Sequence, residues 1–181
     1  MWTVPNLVSF ARLLGIPALV WFGWLSPQPV VAFSIFIVAG FTDWLDGYLA
    51  RKLNQASELG AQLDPIADRL YIITSFFVLW MTNIVPSIFL ILIVARDVMM
   101  AIHLYRSRRL GFAPPAVHYV GKAATMMLLY AVPLIFLGQV ANAVGDVARW
   151  TGLAFLVWGT ATYWFAGLSY IKQFIEISKN G

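Results

Sequence analysis

Six stretches of this 181-residue chain, roughly residues 5–25, 30–52, 65–82, 86–109, 118–138 and 148–176, are each apolar over a length that matches a bilayer. A spanning helix needs about 20 mainly apolar residues, because the hydrocarbon core is ~30 Å thick and a helix rises 1.5 Å per residue. The breaks between stretches are legible as helix-stopping residues: Pro27 and Pro29, Asn83 and Pro86, Pro114 and Pro115, then Asn142 with Gly145. Composition leaves little alternative. Hydrophobic residues make up 61% and charged residues 11% of the chain, with a mean hydropathy of +0.79. A soluble domain carries about a quarter charged residues. A water-facing shell cannot be drawn from so few, which excludes a soluble globule, a disordered chain and a collagen-like fibre. The expected fold is an all-α integral membrane protein of six transmembrane helices, one domain over residues 1–181.

Charge sets the expected orientation. The net charge of +4 would suggest nucleic acid in a soluble protein, but in a membrane chain it reads as cytoplasmic basic residues and no nucleic acid is expected. Arg51 and Lys52, then Arg106, Arg108, Arg109 and Lys122, then Lys172 and Lys179 alternate with connections poor in Lys and Arg. The positive-inside rule therefore puts both termini in the cytoplasm. Trp24, Trp80 and Trp150 then fall together at the outer interface, as an aromatic belt would place them. There are no cysteines, so disulfides and thiolate metal sites are excluded. The N-terminus lacks a basic segment ahead of its apolar run and carries Arg12 within it, unlike a cleaved signal peptide.

The chemistry gathers in one window. Of the eight acidic residues, Asp43, Asp46, Glu58, Asp64 and Asp68 lie close together in the sequence. Asp43 and Asp46 are spaced to share one face of a helix end, and Asp64 and Asp68 to share a face at the start of the next. Four carboxylates at the lipid–water boundary would repel unless cations neutralised them. All-oxygen ligands without nearby Cys or His favour hard ions, Mg²⁺ first, with Mn²⁺ and Ca²⁺ as alternatives. Four carboxylates suffice for two ions about 4 Å apart, an arrangement that clamps a phosphoryl centre. Gly47, Ala50 and Gly60 would let a phosphorylated ligand approach the backbone, and Arg51 would face its oxygens. Structural readings compete with this one: Asp64-Pro65 is a good helix start, with Asp64 as N-cap, and Asp43 could pair with an intramembrane cation such as Arg96. Singly these readings match the functional one; for four carboxylates together they do poorly.

The run Asp43, Asp46, Gly47, Ala50 and Arg51, followed by Gly60, Asp64 and Asp68, resembles the motif of the CDP-alcohol phosphotransferase family at all eight of its fixed positions. At residue frequencies of about 5–8%, a chance match at a given start is on the order of one in a billion or rarer. The resemblance covers nearly the whole chain and implies six spans with the motif bridging the second and third. It implies Asp43, Asp46 and Asp64 as ligands of a two-metal site (Mg²⁺ or Mn²⁺), with Asp68 completing it or serving as general base. It places Gly47, Ala50, Arg51 and Gly60 around the cytidine diphosphate of a CDP-lipid. It further implies a homodimer in a bacterial-type cell membrane, with the site open to the cytoplasm, moving the phosphatidyl group of CDP-diacylglycerol to an alcohol with release of CMP.

The acceptor is read from thinner signals. The opening Pro5-Asn6 with Ser9 and Arg12 resembles members of the family whose acceptor is glycerol-3-phosphate or phosphatidylglycerol. In the fifth stretch Gly121, Lys122 and Thr125 match the pattern of the glycerol-phosphate enzymes, while Ala124 and Leu128 stand where they carry Lys and Gln. The apolar replacements favour phosphatidylglycerol, which would yield cardiolipin, over glycerol-3-phosphate. Lys122 and Arg96 are the candidates for binding the acceptor, Arg96 being equally readable as half of a buried pair with Asp97. His103 and His118 read as interfacial residues. From another class, an ion-coupled transporter would show repeated halves or broken helices at matching positions, and the sequence has neither.

Overall fold

The breaks at Pro27, Asn83 and Asn142 each fall at a turn between helices. The computed structural model describes the backbone of residues 13–53, 58–109 and 119–180, and the side chains of residues 13–42, 69–107, 109, 119–173 and 175. Regular structure among these is helical throughout: α1 (Leu13–Leu25), α2 (Pro29–Leu53), α3 (Glu58–Met81), α4 (Ser87–Arg109), α5 (Tyr119–Leu137) and α6 (Ala143–Asn180). The segments Ser87–Ser107 of α4 and Tyr119–Leu137 of α5 are long and apolar enough to cross a membrane.

Each turn has a local cause. The last turn of α1 widens to a π-helix over Trp21–Leu25, closed by the Ser26 N–H donating to the Trp21 carbonyl at 2.8 Å. Asn83 takes a φ of 57° after α3, the left-handed conformation that ends helices. The amides of Ile84 and Val85 then donate back to the Leu79 carbonyl, at 3.0 and 3.1 Å. Asn142 caps α6, its side-chain oxygen accepting from the Gly145 amide at 2.8 Å. These three turns lie at one end of the bundle, where a cavity of about 410 Å³ is lined by Phe22, Trp24, Gln28, Thr82, Phe136 and Gln139. Trp24, Phe77 and Trp80 stack edge to face there, with centroids 6.2 and 5.7 Å apart.

The start of α3 differs from one sequence expectation. The helix begins at Glu58, an acidic residue suited to the positive end of a helix dipole. Asp64 is therefore not its N-cap, and Pro65 stands inside the helix. Since proline has no N–H, the carbonyl four residues earlier cannot receive its usual helical bond.

Aromatic and aliphatic side chains from all six helices, Ile93 of α4 among them, meet in one core. Phe36 of α2 packs edge to face on Tyr71 of α3 at 5.8 Å and against Phe136 of α5 at 6.5 Å. Leu19, Val78, Leu79, Leu128, Val132 and Leu156 fill the space around them. Helices α5 and α6 form the closest pair, an antiparallel hairpin in which glycines let the backbones approach. A Cβ added at Gly152 would lie 2.9 Å from Ile135 Cγ1 and 3.0 Å from the Ile135 amide nitrogen. One added at Gly159 would lie 3.1 Å from Met127 Cβ. Small residues at helix crossings do this in membranes, where lipid tails compete equally well for apolar surface.

Candidate active site

The motif occupies the other end of the bundle. Asp43, Asp46, Gly47, Ala50 and Arg51 lie on the final turns of α2, and Gly60, Asp64 and Asp68 on the first half of α3. The connection between these two helices is short, residues 54–57, so the backbone carries all eight motif positions on two consecutive helices. The side chains of these eight residues lie outside the described residues, as do Pro5, Asn6, Ser9, Arg12 and His118. Among the described residues no group of three or more His, Cys, Asp or Glu gathers.

The residue directly after Asp68 opens a cluster of charges inside the bundle. Arg69 of α3 donates through Nη1 to both carboxylate oxygens of Asp97 on α4, at 2.9 and 3.0 Å. Tyr163 of α6 donates its hydroxyl to Asp97 Oδ1 at 2.5 Å, and the same hydroxyl accepts from Arg69 Nη1. Arg96, 6% exposed, lays its guanidinium 3.8 Å above the Tyr163 ring and donates to Asp97 Oδ1 and the Tyr163 carbonyl, each at 3.4 Å. Gly167 packs tightly against this group: an added Cβ there would lie 3.3 Å from Arg96 Nε. Trp164 ties the same turn of α6 to α4 by donating to the Leu92 carbonyl at 3.1 Å.

One carboxylate thus serves two guanidiniums and a phenol, and three helices are joined at one level. Asp97 stands about 15 Å along α4 from Ser87, at 1.5 Å per residue. Buried ions without partners would be very costly there, and mutual pairing removes most of that cost. The cluster's consequence for the site is positional. It fixes α3 at Arg69, immediately beyond Asp68, to α4 and α6.

Arg96 is accordingly engaged as an intramolecular cation, the alternative that the sequence left open. Lys122 is exposed on the first turns of α5. Ala124 and Leu128 are fully buried in the core, Leu128 Cδ2 lying 3.2 Å from where Gly159 would carry a Cβ. Their apolar character serves the α5–α6 contact, which accounts for it without an acyl chain. Arg69 and Tyr163 were missed in the sequence. A basic residue just inside an apolar stretch was the available signal for Arg69; nothing distinguishes Tyr163 among the aromatic residues of α6.

Comparison with known proteins bears on this arrangement. The family model described as CDP-alcohol phosphatidyltransferase matches residues 2–158. The chain is 41% identical over 178 residues to cardiolipin synthase (CMP-forming) of Streptomyces coelicolor, covering 94% of this chain and 82% of that protein. It is 31% identical to a chloroplastic/mitochondrial CDP-diacylglycerol–glycerol-3-phosphate 3-phosphatidyltransferase of Arabidopsis thaliana, over 89% of this chain and 61% of the other. To the enzyme named CDP-diacylglycerol–glycerol-3-phosphate 3-phosphatidyltransferase in Blochmanniella floridana it is 29% identical, over 96% and 95% of the two chains. With the motif, the helices that carry it and these likenesses in agreement, the chain belongs to the CDP-alcohol phosphatidyltransferase family and is a transferase of that class.

Proposed function

We propose that this chain transfers the phosphatidyl group of CDP-diacylglycerol to phosphatidylglycerol, forming cardiolipin and releasing CMP. The observation that carries the reading is the position of all eight motif residues on the final turns of α2 and the first half of α3, in a chain 41% identical to a cardiolipin synthase. The chain acts as one domain with six membrane-crossing helices, cytoplasmic termini and a homodimeric assembly, in a bacterial-type cell membrane. Its site opens to the cytoplasm, where CDP-lipids are water-accessible. The alternation of basic connections supports that orientation.

Enzymes of the family generally use divalent metal ions. Four carboxylates on two adjoining helices are the hard-oxygen donor set that Mg²⁺ or Mn²⁺ takes, so Asp43, Asp46, Asp64 and Asp68 would hold two such ions. Bound there, the ions would neutralise the pyrophosphate and steady the leaving group's charge. The protein's own groups do the rest. Gly47, Ala50 and Gly60 admit the cytidine diphosphate close to the backbone, and Arg51 meets its phosphate oxygens. Asp68 accepts the proton of the acceptor's primary hydroxyl. That oxygen attacks the phosphorus bearing the diacylglycerol, the bond from this phosphorus to the CMP oxygen breaks, and CMP departs. Lys122 and Arg96 provide positive charge for the acceptor's phosphate, Arg96 from within its pairing with Asp97. The cluster around Asp97 keeps Asp68 at a fixed height against α4 and α6.

The test offers the purified protein CDP-diacylglycerol with phosphatidylglycerol or with glycerol-3-phosphate in parallel. CMP release with phosphatidylglycerol is the expected result. Release with glycerol-3-phosphate alone would replace the acceptor, leaving the transfer chemistry intact, and the 29% likeness to the Blochmanniella floridana enzyme makes that the second reading.

A further inference from the structure

The face of α4 turned away from the bundle is apolar for most of its length and ends in two arginines. Ile91, Val98, Ile102 and Tyr105 are each more than half exposed. At 100° per residue these four, with Arg106 and Arg109, fall on one arc of about 100° around the helix axis. Arg96 and Asp97, which join α4 to α6 and α3, lie about 120° or more from Ile102, on the opposite side. The segment Ser87–Ser107 is long and apolar enough to cross a bilayer. Counted from Ser87 at 1.5 Å per residue, Val98 and Ile102 stand about 17 and 23 Å along the helix, and Arg106 and Arg109 about 29 and 33 Å. With a hydrocarbon core ~30 Å thick, the aliphatic pair lies at the depth of acyl chains and the arginines at the depth of headgroups.

Neither arginine is neutralised by the described residues. Both are exposed, and neither forms an ion pair with a described carboxylate. Asp97 is the one acid in the sequence of α4, and Arg69, Arg96 and Tyr163 already share it. Arg109 instead lies over the Tyr105 ring, 4.8 Å from its centroid. A guanidinium engaged through its face keeps its N–H edge for an oxygen acceptor. Tyrosine also settles readily at a membrane interface, so Tyr105 holds the cation where lipid phosphates lie.

A second copy of the chain fits this face poorly. Two copies inserted in one membrane share an orientation, so a two-fold contact here would set the arginine ends of both against each other. A phospholipid with a net negative headgroup matches both levels at once. Its phosphate oxygens meet the guanidiniums, and its chains follow Val98 and Ile102.

We propose that this face of α4 is a binding site for an anionic phospholipid of the leaflet on the motif side. Lying across α4 from Asp97, the site is separate from the reacting groups, and the lipid held there steadies the helix without being consumed. The proposal rests on α4 crossing the membrane and is independent of the acceptor.

The test uses the full-length protein in detergent with excess chelator, so that transfer plays no part. Equal amounts of phosphatidylmethanol, an anionic lipid with no hydroxyl to react, and phosphatidylcholine are offered, and lipid retained is counted by native mass spectrometry. Wild-type protein is expected to retain phosphatidylmethanol over phosphatidylcholine by about tenfold. The double variant Arg106→Gln/Arg109→Gln should reduce that preference to about twofold or less, and Tyr105→Leu should lower it in part. Arg149→Gln, which removes an exposed arginine near the start of α6, should leave it unchanged. No preference in wild-type protein, or an equal loss in Arg149→Gln and the double variant, would overturn the proposal. So would dissociation of an oligomer by the double variant with lipid preference intact, which would give the face to a second copy.

Discussion

Replacing Asp97 by Asn tests how far the charged cluster holds the bundle together. The substitution keeps size and shape and removes only the negative charge. Asp97 accepts from Arg69 at 2.9 and 3.0 Å, from Tyr163 at 2.5 Å and from Arg96 at 3.4 Å. The variant's amide would face two guanidiniums with a group that is itself partly a donor, leaving two like charges uncompensated among three helices. Breaking a well-buried ion pair by removing one partner costs about 3–5 kcal/mol. The Asp97 side chain is 17% and that of Arg69 43% exposed, so solvent screening brings the cost below that range, to about 2–3 kcal/mol. At about 2–4 °C per kcal/mol for a chain of this size, Tm should fall by roughly 4–12 °C. The chain's 8 tryptophans make intrinsic fluorescence in detergent micelles a suitable probe of melting. Because Arg69 follows Asp68 directly, the variant should also lose about tenfold or more in kcat at temperatures where it remains folded, with the KM for CDP-diacylglycerol less affected. A Tm within about 1 °C of wild type together with undiminished kcat would refute the reasoning, since neither stability nor the site would then depend on the pairing.

Other perturbations separate the parts of the account. Tyr163→Phe keeps the ring beneath Arg96 and loses only the hydroxyl between Arg69 and Asp97, so its Tm should fall less than that of Asp97→Asn, by about 1–2 kcal/mol in stability. Gly159→Leu would drive a branched side chain into Met127 and Leu128; a loss of about 1–3 kcal/mol or more is expected, read as a lower Tm and a smaller yield of monodisperse protein. Asp68→Asn should retain less than about a tenth of wild-type CMP release, and greater retention would remove Asp68 from the role of base. Chelation of divalent ions should abolish release and added Mg²⁺ should restore it, whereas unaltered activity in excess chelator would contradict the use of the four carboxylates.

Much of the helix order was legible because bilayer thickness fixes how long an apolar run must be, and because Pro, Asn and Gly cannot continue a helix easily. The turn at Asn83, the cap at Asn142 and the pairing of Trp24 with the α3 aromatics follow from those residues. The start of α3 was less legible: a proline suits a first helical position, yet the helix begins at Glu58 and runs through Pro65. The motif could be read because its eight positions lie close together in sequence. The cluster around Asp97 could not, since Arg69, Asp97 and Tyr163 come from three helices and meet only once those helices pack. Ala124 and Leu128 carried a signal open to two readings, because a buried helix contact and an acyl-bearing acceptor ask for the same residue types. Burial, which the sequence does not give, separates the two.

The most direct test of the central claim is the stoichiometry of products. Purified protein in proteoliposomes with CDP-diacylglycerol, phosphatidylglycerol and Mg²⁺ would be followed for CMP and for lipid by mass spectrometry. The account predicts one cardiolipin formed for each CMP released, and neither when divalent ions are removed. CMP accompanied by phosphatidic acid in place of cardiolipin, or no CMP with any glycerol acceptor, would contradict it.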